Sequence, residues 1–240
     1  HEQRAISTAL SNVDALISSL DKLIAKKRDI KQAAMQQLLT GRRRLPGFGG
    51  EWEVESVQDI GYVVTGGTPK TEVKEYWGGE YPWVTPTDIS HYRDVVDTER
   101  RLTAKGLEAT VKLPANSVLV TCIASIGKNA ILRAEGGCNQ QINAVIPKND
   151  NSPEFLYYLF ESNKQYLMAN AGMTATSIIS KSTFEKLMFR LPDPSEQRAI
   201  ASVLSDMDAE IEALERRRDK TRLIKEGMMQ ELLTGRVRLV

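Results

Sequence analysis

Glu2-Gln3-Arg4-Ala5-Ile6 returns as Glu196-Gln197-Arg198-Ala199-Ile200, and Leu38-Leu39-Thr40-Gly41-Arg42 returns as Leu232-Leu233-Thr234-Gly235-Arg236. Residues 2–45 align on residues 196–239 without a gap, with 24 of 44 positions identical. Duplication at one constant offset marks a structural repeat rather than two unrelated helices. In the first copy Ile6, Leu10, Val13, Ile17, Leu20 and Ile24 are spaced four, three, four, three, four; Ile200, Leu204, Met207, Ile211 and Leu214 repeat the pattern. That is the apolar seam of a coiled coil. The next seam position is Ile24 in the first copy but Arg218 in the second. Beyond it the apolar stripe is expected to resume out of phase, at Ile30, Ala34 and Leu38 and at Ile224, Met228 and Leu232. Ser195 is the expected N-cap of the second helix, and Gly41 and Gly235 the expected left-handed C-caps. A helix with one narrow seam must bury it, and the simplest partner is the other copy. The first helix leads into the intervening segment and the second leads out of it, so a pair would be antiparallel.

The repeat divides the chain into residues 1–45, 46–194 and 195–240. Their basic and acidic counts are nine and four, fourteen and eighteen, and nine and nine, which makes net charges of +5, −4 and 0 and the +1 of the whole chain. An acidic centre argues against DNA binding driven by bulk charge, but leaves room for a local basic face or for phosphate contacts from a partner. No apolar run approaches the length of a membrane span, and no signal peptide is visible. The two cysteines, Cys122 and Cys138, have no C-x-x-C partner and read as reduced, buried thiols of a cytoplasmic protein. The chain begins at His1 rather than Met, which suggests a fragment, a processed product or a trimmed form.

In residues 46–194, strand character appears at 52–57, 62–65, 83–85, 117–123, 130–133 and 142–147, with helices expected at 153–171 and 181–188. Strands and helices mix without a regular alternation, so the expected class is α+β: one globular domain plus two long helices in an antiparallel coiled coil.

Several motifs of this segment resemble a known family. Gly66-Gly67-Thr68-Pro69, Tyr76-Trp77-Gly78-Gly79, Pro82-Trp83-Val84-Thr85 and Asp88-Ile89 look like the opening of target-recognition domains in type I restriction–modification specificity subunits. Leu113-Pro114, Val118-Leu119-Val120, Ser125-Ile126-Gly127-Lys128 and Cys138-Asn139-Gln140-Gln141-Ile142-Asn143 are similar to their middle part. Ser180-Lys181-Ser182-Thr183-Phe184 and Leu191-Pro192, running into Glu196-Gln197-Arg198, resemble their exit into the long helix. The resemblance implies a non-catalytic subunit in which two recognition domains each read half of a split site in double-stranded DNA, spaced by paired helices. Methyltransferase (M) subunits and, through the assembled complex, restriction (R) subunits would carry the chemistry. This chain departs from that pattern, having two helices but one recognition domain. It reads as the C-terminal half of a subunit with the preceding helix attached, or as a half-subunit that pairs with a second copy.

The residues themselves offer little catalytic chemistry. An N/D-P-P-Y/F base-holding loop, a G-x-G-x-x-G loop and a P-loop are absent, and with His1 and His91 as the only histidines a His-based triad or metal site is disfavoured. No cofactor is expected. DNA reading needs polar groups on loops and cations for phosphates. Four stretches fit: Thr68, Lys70 and Thr71; Thr85, Thr87, Asp88, Ser90, His91, Tyr92 and Arg93; Ser125, Lys128 and Asn129; and Thr174, Thr176, Ser177, Ser180 and Lys181. Each of these side chains could equally stabilise a turn. Gln140 and Gln141 suit adenine edges or internal hydrogen bonds. Tyr76, Trp77, Tyr81 and Trp83 suit stacking on nucleotides or a small core. Arg42, Arg43 and Arg44 suit phosphates or the helix C-terminus. A competing reading is a coiled-coil interaction scaffold that reads no DNA sequence.

Overall fold

The computed structural model describes residues 2–89, 92–172 and 177–238. In chain order the elements are α1 (Glu2–Leu38), β1 (Glu53–Ser56), α2 (Val57–Ile60), β2 (Gly61–Thr65), a 3-10 turn (Lys74–Tyr76), β3 (Trp77–Val84), β4 (Asp94–Val95), β5 (Arg101–Leu102), α3 (Ala104–Glu108), β6 (Ser117–Thr121), β7 (Asn129–Leu132), β8 (Gly137–Cys138), β9 (Ile142–Pro147), α4 (Pro153–Ser162), α5 (Lys164–Ala169), α6 (Lys181–Glu185), β10 (Met188–Leu191) and α7 (Pro194–Leu233). The chain forms two compact units, Gln37–Ala201 and His1–Gln36 with Ser202–Val240. The α+β class holds.

In the helical unit, ion pairs fix an antiparallel register. As the α1 partner climbs from Glu2 through Asp14, Asp21 and Lys27 to Lys31, the other partner descends from Arg238 through Lys225, Arg222 and Glu210 to Asp208. The expected phase slip does not occur. Ala34, Leu38, Met228 and Leu232 of the expected stripe are buried or half-buried, but they lie in the original phase, while Ile30 and Ile224 are 44% and 51% exposed. The three–four spacing instead continues through Lys27 and Lys31 on α1 and through Arg218, Thr221 and Lys225 on α7, all buried or half-buried. The long apolar stems of Lys27, Lys31, Arg218 and Lys225 line the seam while their charged ends reach carboxylates of the other helix: Lys27 to Glu210 and Lys225 to Asp14 at 2.6 Å each, Arg218 to Asp21 at 3.5 Å, and Lys31 to Asp208. Reading only apolar residues makes a seam that turns polar look like one that shifts.

The pairing obeys the repeat. Lys31–Asp208 becomes Lys225–Asp14 when each residue is replaced by its counterpart in the other copy, and Arg28–Glu215 becomes Arg222–Asp21. An approximate twofold therefore relates the two helices. Both copies end alike: Gly41 and Gly235 have φ of +68° and +72°, and Arg43 N–H and Val237 N–H each donate to the carbonyl six residues back, Gln37 and Glu231, at 3.1 Å. This is the expected left-handed C-cap. The expected N-cap is displaced by two residues. Asp193, not Ser195, caps α7: its Oδ1 accepts from the backbone N–H groups of Ser195 at 2.9 Å and Glu196 at 3.1 Å, with Pro194 as the first helical residue.

The other unit is built on a five-stranded sheet of order β2-β9-β6-β7-β4, antiparallel except for the parallel β4–β7 pair. α4 covers β6 and β7. All six residues Phe155–Phe160 of α4 are buried, so it is a core helix rather than an amphipathic one. The single helix expected over 153–171 is broken at Asn163, whose Nδ2 donates to the Leu159 carbonyl at 2.8 Å. The helix expected over 181–188 ends at Glu185, because Met188 already pairs with Ser56 in the β1–β10 ribbon. Val57 opens α2 instead of continuing a strand. A small sheet, β5-β3-β8, packs Trp83, Leu102 and Leu107 together with Trp77 and Tyr81. Trp77 and Trp83 meet edge to face at 5.0 Å, and the Arg100 guanidinium lies 3.5 Å from the Trp77 ring centroid. Trp83 is core, its Nε1 satisfied by the Gly67 carbonyl at 3.1 Å, and Trp77 and Tyr81 are half-buried against it.

Candidate nucleic-acid interface

Strand direction gathers the polar loops. In the five-stranded sheet β2 and β6 end where β9 and β7 begin, and β4, parallel to β7, is entered from that same end. The loops 66–72, 122–128 and 139–141 and the segment leading into β4 therefore meet at one end of the sheet. The fourth stretch joins them through backbone bonds: Ala124 N–H donates to the Ser177 carbonyl at 3.2 Å and Ile179 N–H to the Cys122 carbonyl at 2.9 Å. The opposite end holds the connection to α7. There Gln197, 1% exposed, donates through Nε2 to Asn151 Oδ1 at 2.7 Å and to the Pro192 carbonyl at 3.0 Å, while its Oε1 accepts from Ser152 N–H at 3.1 Å.

The same connection contains a buried ion pair. Glu196 is fully buried and accepts from Arg44 twice, Nε to Oε1 and Nη2 to Oε2, both at 2.6 Å. Arg44 also donates to the carbonyls of Gly50 at 2.7 Å and Gly49 at 2.9 Å, and Trp52 Nε1 donates to Glu196 Oε2 at 3.3 Å. The Glu196 hydrogen bond is the main reason the Arg44 guanidinium is held above its ordinary value. Of the three arginines at the end of α1, Arg44 is thus structural, whereas Arg42 and Arg43 are exposed.

The loop end sorts its residues into presented and occupied side chains. Thr68, Lys70, Thr71, Thr87, Tyr92, Lys128, Ser177 and Lys181 are exposed. Thr87 Oγ1 meets Thr85 Oγ1 at 2.7 Å, and Thr85 is itself turned onto Asp88 Oδ2 at 2.7 Å. Lys181 lies 3.6 Å from Glu185 on its own helix. Ser125 is half-buried, its carbonyl accepting from the Thr121 hydroxyl. Arg93 donates to Tyr158 Oη at 3.2 Å and to Asp94 Oδ2 at 3.0 Å. Burial alone would lower its pKa, but Asp94 and Tyr158 hold it above the usual value. Asn129 is buried, its Nδ2 donating to Glu161 Oε2 at 3.0 Å. Arg93 and Asn129 therefore hold the loops rather than extend from them. Ser90, His91, Thr174 and Thr176 lie outside the described residues.

A polar ladder underlies the loops. Thr65 Oγ1 donates to Asn143 Oδ1 at 2.7 Å, and Asn143 Nδ2 donates to Cys122 Sγ at 3.2 Å. Burial pushes the Cys122 thiol up to about 11 and the Cys138 thiol to about 12, and both cysteines are free. Among the described residues no group of three His, Cys, Asp or Glu side chains is placed to hold a metal ion, and no helix is long and apolar enough to cross a membrane.

A family model described as type I restriction modification DNA specificity domain matches residues 49–221. The chain belongs to this family. That span takes in every loop gathered at the sheet end, and it continues past the Glu196–Gln197 connection into α7. The chain is 38% identical over 168 residues to the type I restriction enzyme MjaIX specificity subunit of Methanocaldococcus jannaschii, covering 68% of this chain and 39% of that protein. It is 34% identical over 146 residues to the HindI specificity subunit of Haemophilus influenzae, covering 59% and 32%. It thus spans less than half the length of these two curated relatives. The crystal structure of the HsdS subunit from Thermoanaerobacter tengcongensis superposes with a TM-score of 0.66 at 16% identity, over 98% of this chain and 59% of that one, which shows a shared fold.

Two features of this end escape a reading of residue types alone. Gln140 and Gln141 are adjacent and chemically identical, yet Gln141 is tied to Asn139 while Gln140 is exposed. Asn139, whose amide pins that turn, carries no signal distinguishing it from a base-reading asparagine.

Proposed function

We propose that this chain is a non-catalytic, sequence-specific DNA-recognition subunit of a type I restriction–modification enzyme, and that residues 46–194 read one half of a bipartite site. The observation that carries this reading is the convergence of the polar loops at one end of the sheet, away from the connection to α7. Thr68, Lys70, Thr71, Thr87, Tyr92, Lys128, Ser177 and Lys181 present donors and cations there, and Ser90, His91, Thr174 and Thr176 belong to the same loops in sequence. Ser125, Asn129 and Arg93 contribute by holding the loops in place. Methyltransferase subunits dock on the paired helices of residues 1–45 and 195–240 and carry the chemistry; restriction subunits join through the assembled complex, in the cytoplasm.

The repeated ion pair supports the half-unit reading. Glu2 and Arg238 form the counterpart of the Glu196–Arg44 pair, with the same atoms matched at 2.6 and 2.7 Å, but Glu2, Gln3 and Arg238 are half-buried or exposed where Glu196 and Gln197 are buried. A second recognition domain, on the same polypeptide or on a second copy paired as a homodimer, would complete that joint. Methylome sequencing of the host with and without the gene tests the function. Loss of one bipartite methylation motif is expected; an unchanged methylome would favour a scaffold that reads no DNA.

A further inference from the structure

Gln140 sits at the apex of a turn that the chain makes rigid from both sides. Ile142 N–H donates to the Asn139 carbonyl at 3.2 Å, closing the turn. Asn139 and Gln141 then lock their side chains together, Asn139 Nδ2 to Gln141 Oε1 at 2.9 Å and Gln141 N–H to Asn139 Oδ1 at 3.1 Å. Asn139 is thus engaged through both its amide oxygen and its amide nitrogen, and Gln141, half-buried, through its oxygen. The neighbouring Gly66–Thr68 segment is pressed against the same turn. Gly67 N–H donates to the Cys138 carbonyl at 2.8 Å, and a Cβ on Gly66 would lie 2.3 Å from the Asn139 carbonyl oxygen. Two loops from different strands thus form one stiff platform, from which the Thr68 and Gln140 side chains emerge exposed and hydrogen-bonded to each other, Thr68 Oγ1 to Gln140 Oε1 at 2.6 Å.

That bond decides what the platform can recognise. Adenine in the major groove asks a glutamine for both its oxygen and its nitrogen, because the base edge offers one donor and one acceptor. Here the oxygen already accepts from Thr68, and the two N–H groups on Nε2 make no other hydrogen bond among the described residues. With the Gln140 amide turned by Thr68 so that its Nε2 donors are free, and with the exposed ammonium of Lys70 two residues from Thr68, the outward donors suit an acceptor-only ligand such as a phosphodiester oxygen. We propose that the Thr68–Gln140 pair is a DNA-backbone anchor: it holds a phosphate, sets the register of the domain on the duplex, and reads no base. The inference rests on the DNA-recognition reading above and assigns a task to two residues within it.

The test uses the full chain and a randomised duplex library. Wild-type protein enriches a motif, and Gln140→Ala, Thr68→Val and Lys70→Ala are carried through the same selection. Each is also titrated against the enriched duplex and a scrambled duplex of equal composition, from 50 to 200 mM salt. Gln140→Ala is expected to weaken both duplexes about three- to tenfold, the range of one ordinary solvent-exposed hydrogen bond. The enriched motif should not change. Because glutamine is neutral, the salt dependence should keep its slope in Gln140→Ala, whereas Lys70→Ala lowers it by about one ion. Thr68→Val should share the Gln140→Ala phenotype at smaller amplitude. Relaxed preference at a single base pair with unchanged affinity for the scrambled duplex would make Gln140 a base reader and overturn the anchor. Unchanged affinity for both duplexes would overturn it as well, with DNA recognition intact. If wild-type protein enriches no motif and binds no duplex, the recognition reading itself falls, and the anchor with it.

Discussion

Arg44 grips Glu196 with the same two nitrogen–oxygen pairs that Arg238 uses on Glu2, Nε to Oε1 and Nη2 to Oε2. The sequence repeat is therefore also a repeat of a contact, placed in two different environments. The Glu196 side chain is fully buried and Arg44 keeps 24% exposure, while Arg238 keeps 72% and Glu2 30%. A buried carboxylate that loses its partner remains desolvated and unpaired; an exposed one is rehydrated. Arg44→Ala should accordingly cost several times the stability that Arg238→Ala costs. Urea denaturation of the two variants measures the difference, and equal losses would mean that burial of Glu196 does not matter.

The uninterrupted seam makes opposite predictions for neighbouring apolar residues. Leu20 is 4% exposed and Leu204 is fully buried, so Leu20→Ala or Leu204→Ala should destabilise the helical unit by about 2–5 kcal/mol. Ile30→Ser and Ile224→Ser, at positions outside the seam, should stay within roughly 0.5 kcal/mol. Helical circular dichroism on heating distinguishes them. A large loss at Ile30 would restore the shifted stripe that the apolar residues alone suggest.

The two thiols should be inert in the folded protein. Burial raises Cys122 to about 11 and Cys138 to about 12, so at pH 8 the thiolate fraction is on the order of one in a thousand or less, behind buried walls. A maleimide or disulfide reagent should label neither cysteine at pH 8 and both after denaturation. Fast labelling of the native protein would show that the polar ladder through Asn143 opens readily.

Acid should weaken the unit of Gln37–Ala201 through Arg133. Its guanidinium bonds Asp94 at 2.7 Å and Glu154 at 2.8 Å. Burial by itself would raise both carboxyl groups, but Arg93 and Arg133 outweigh it for Asp94, and backbone and Arg133 hydrogen bonds outweigh it for Glu154. Both therefore titrate below their usual 3.8 and 4.5. Groups with lowered folded-state values contribute stability that is complete above the usual range and lost as pH falls through the lowered values. Denaturation midpoints should be flat from pH 7 to about 5 and fall below about 4, less steeply in Arg133→Gln. An equally steep fall in that variant would place the acid sensitivity elsewhere.

Among the loop residues, Arg93→Ala should lower the melting temperature, because Tyr158 and Asp94 lose a shared partner. Lys128→Ala should leave it unchanged and act only on DNA affinity. Thermal unfolding beside duplex titration separates the two, and a stable Arg93→Ala with weakened binding would make Arg93 a direct contact.

The architecture is legible in residue order: a duplicated helix leaves few ways to bury two matching seams, and its constant offset delimits what lies between. Residue order also placed the polar loops, since clusters of Thr, Ser, Lys and glycine between apolar runs mark where the backbone turns. It did not determine where the seam runs beyond Ile24, because Lys27 and Arg218 look like surface residues until a carboxylate from the other helix meets each of them or its neighbours. Nor did it separate Gln140 from Gln141, or Arg44 from Arg42 and Arg43. Those distinctions belong to tertiary structure. A side chain's task depends on which distant groups have already used its donors and acceptors, and residues 44 and 196, or 68 and 140, become neighbours only when the chain folds.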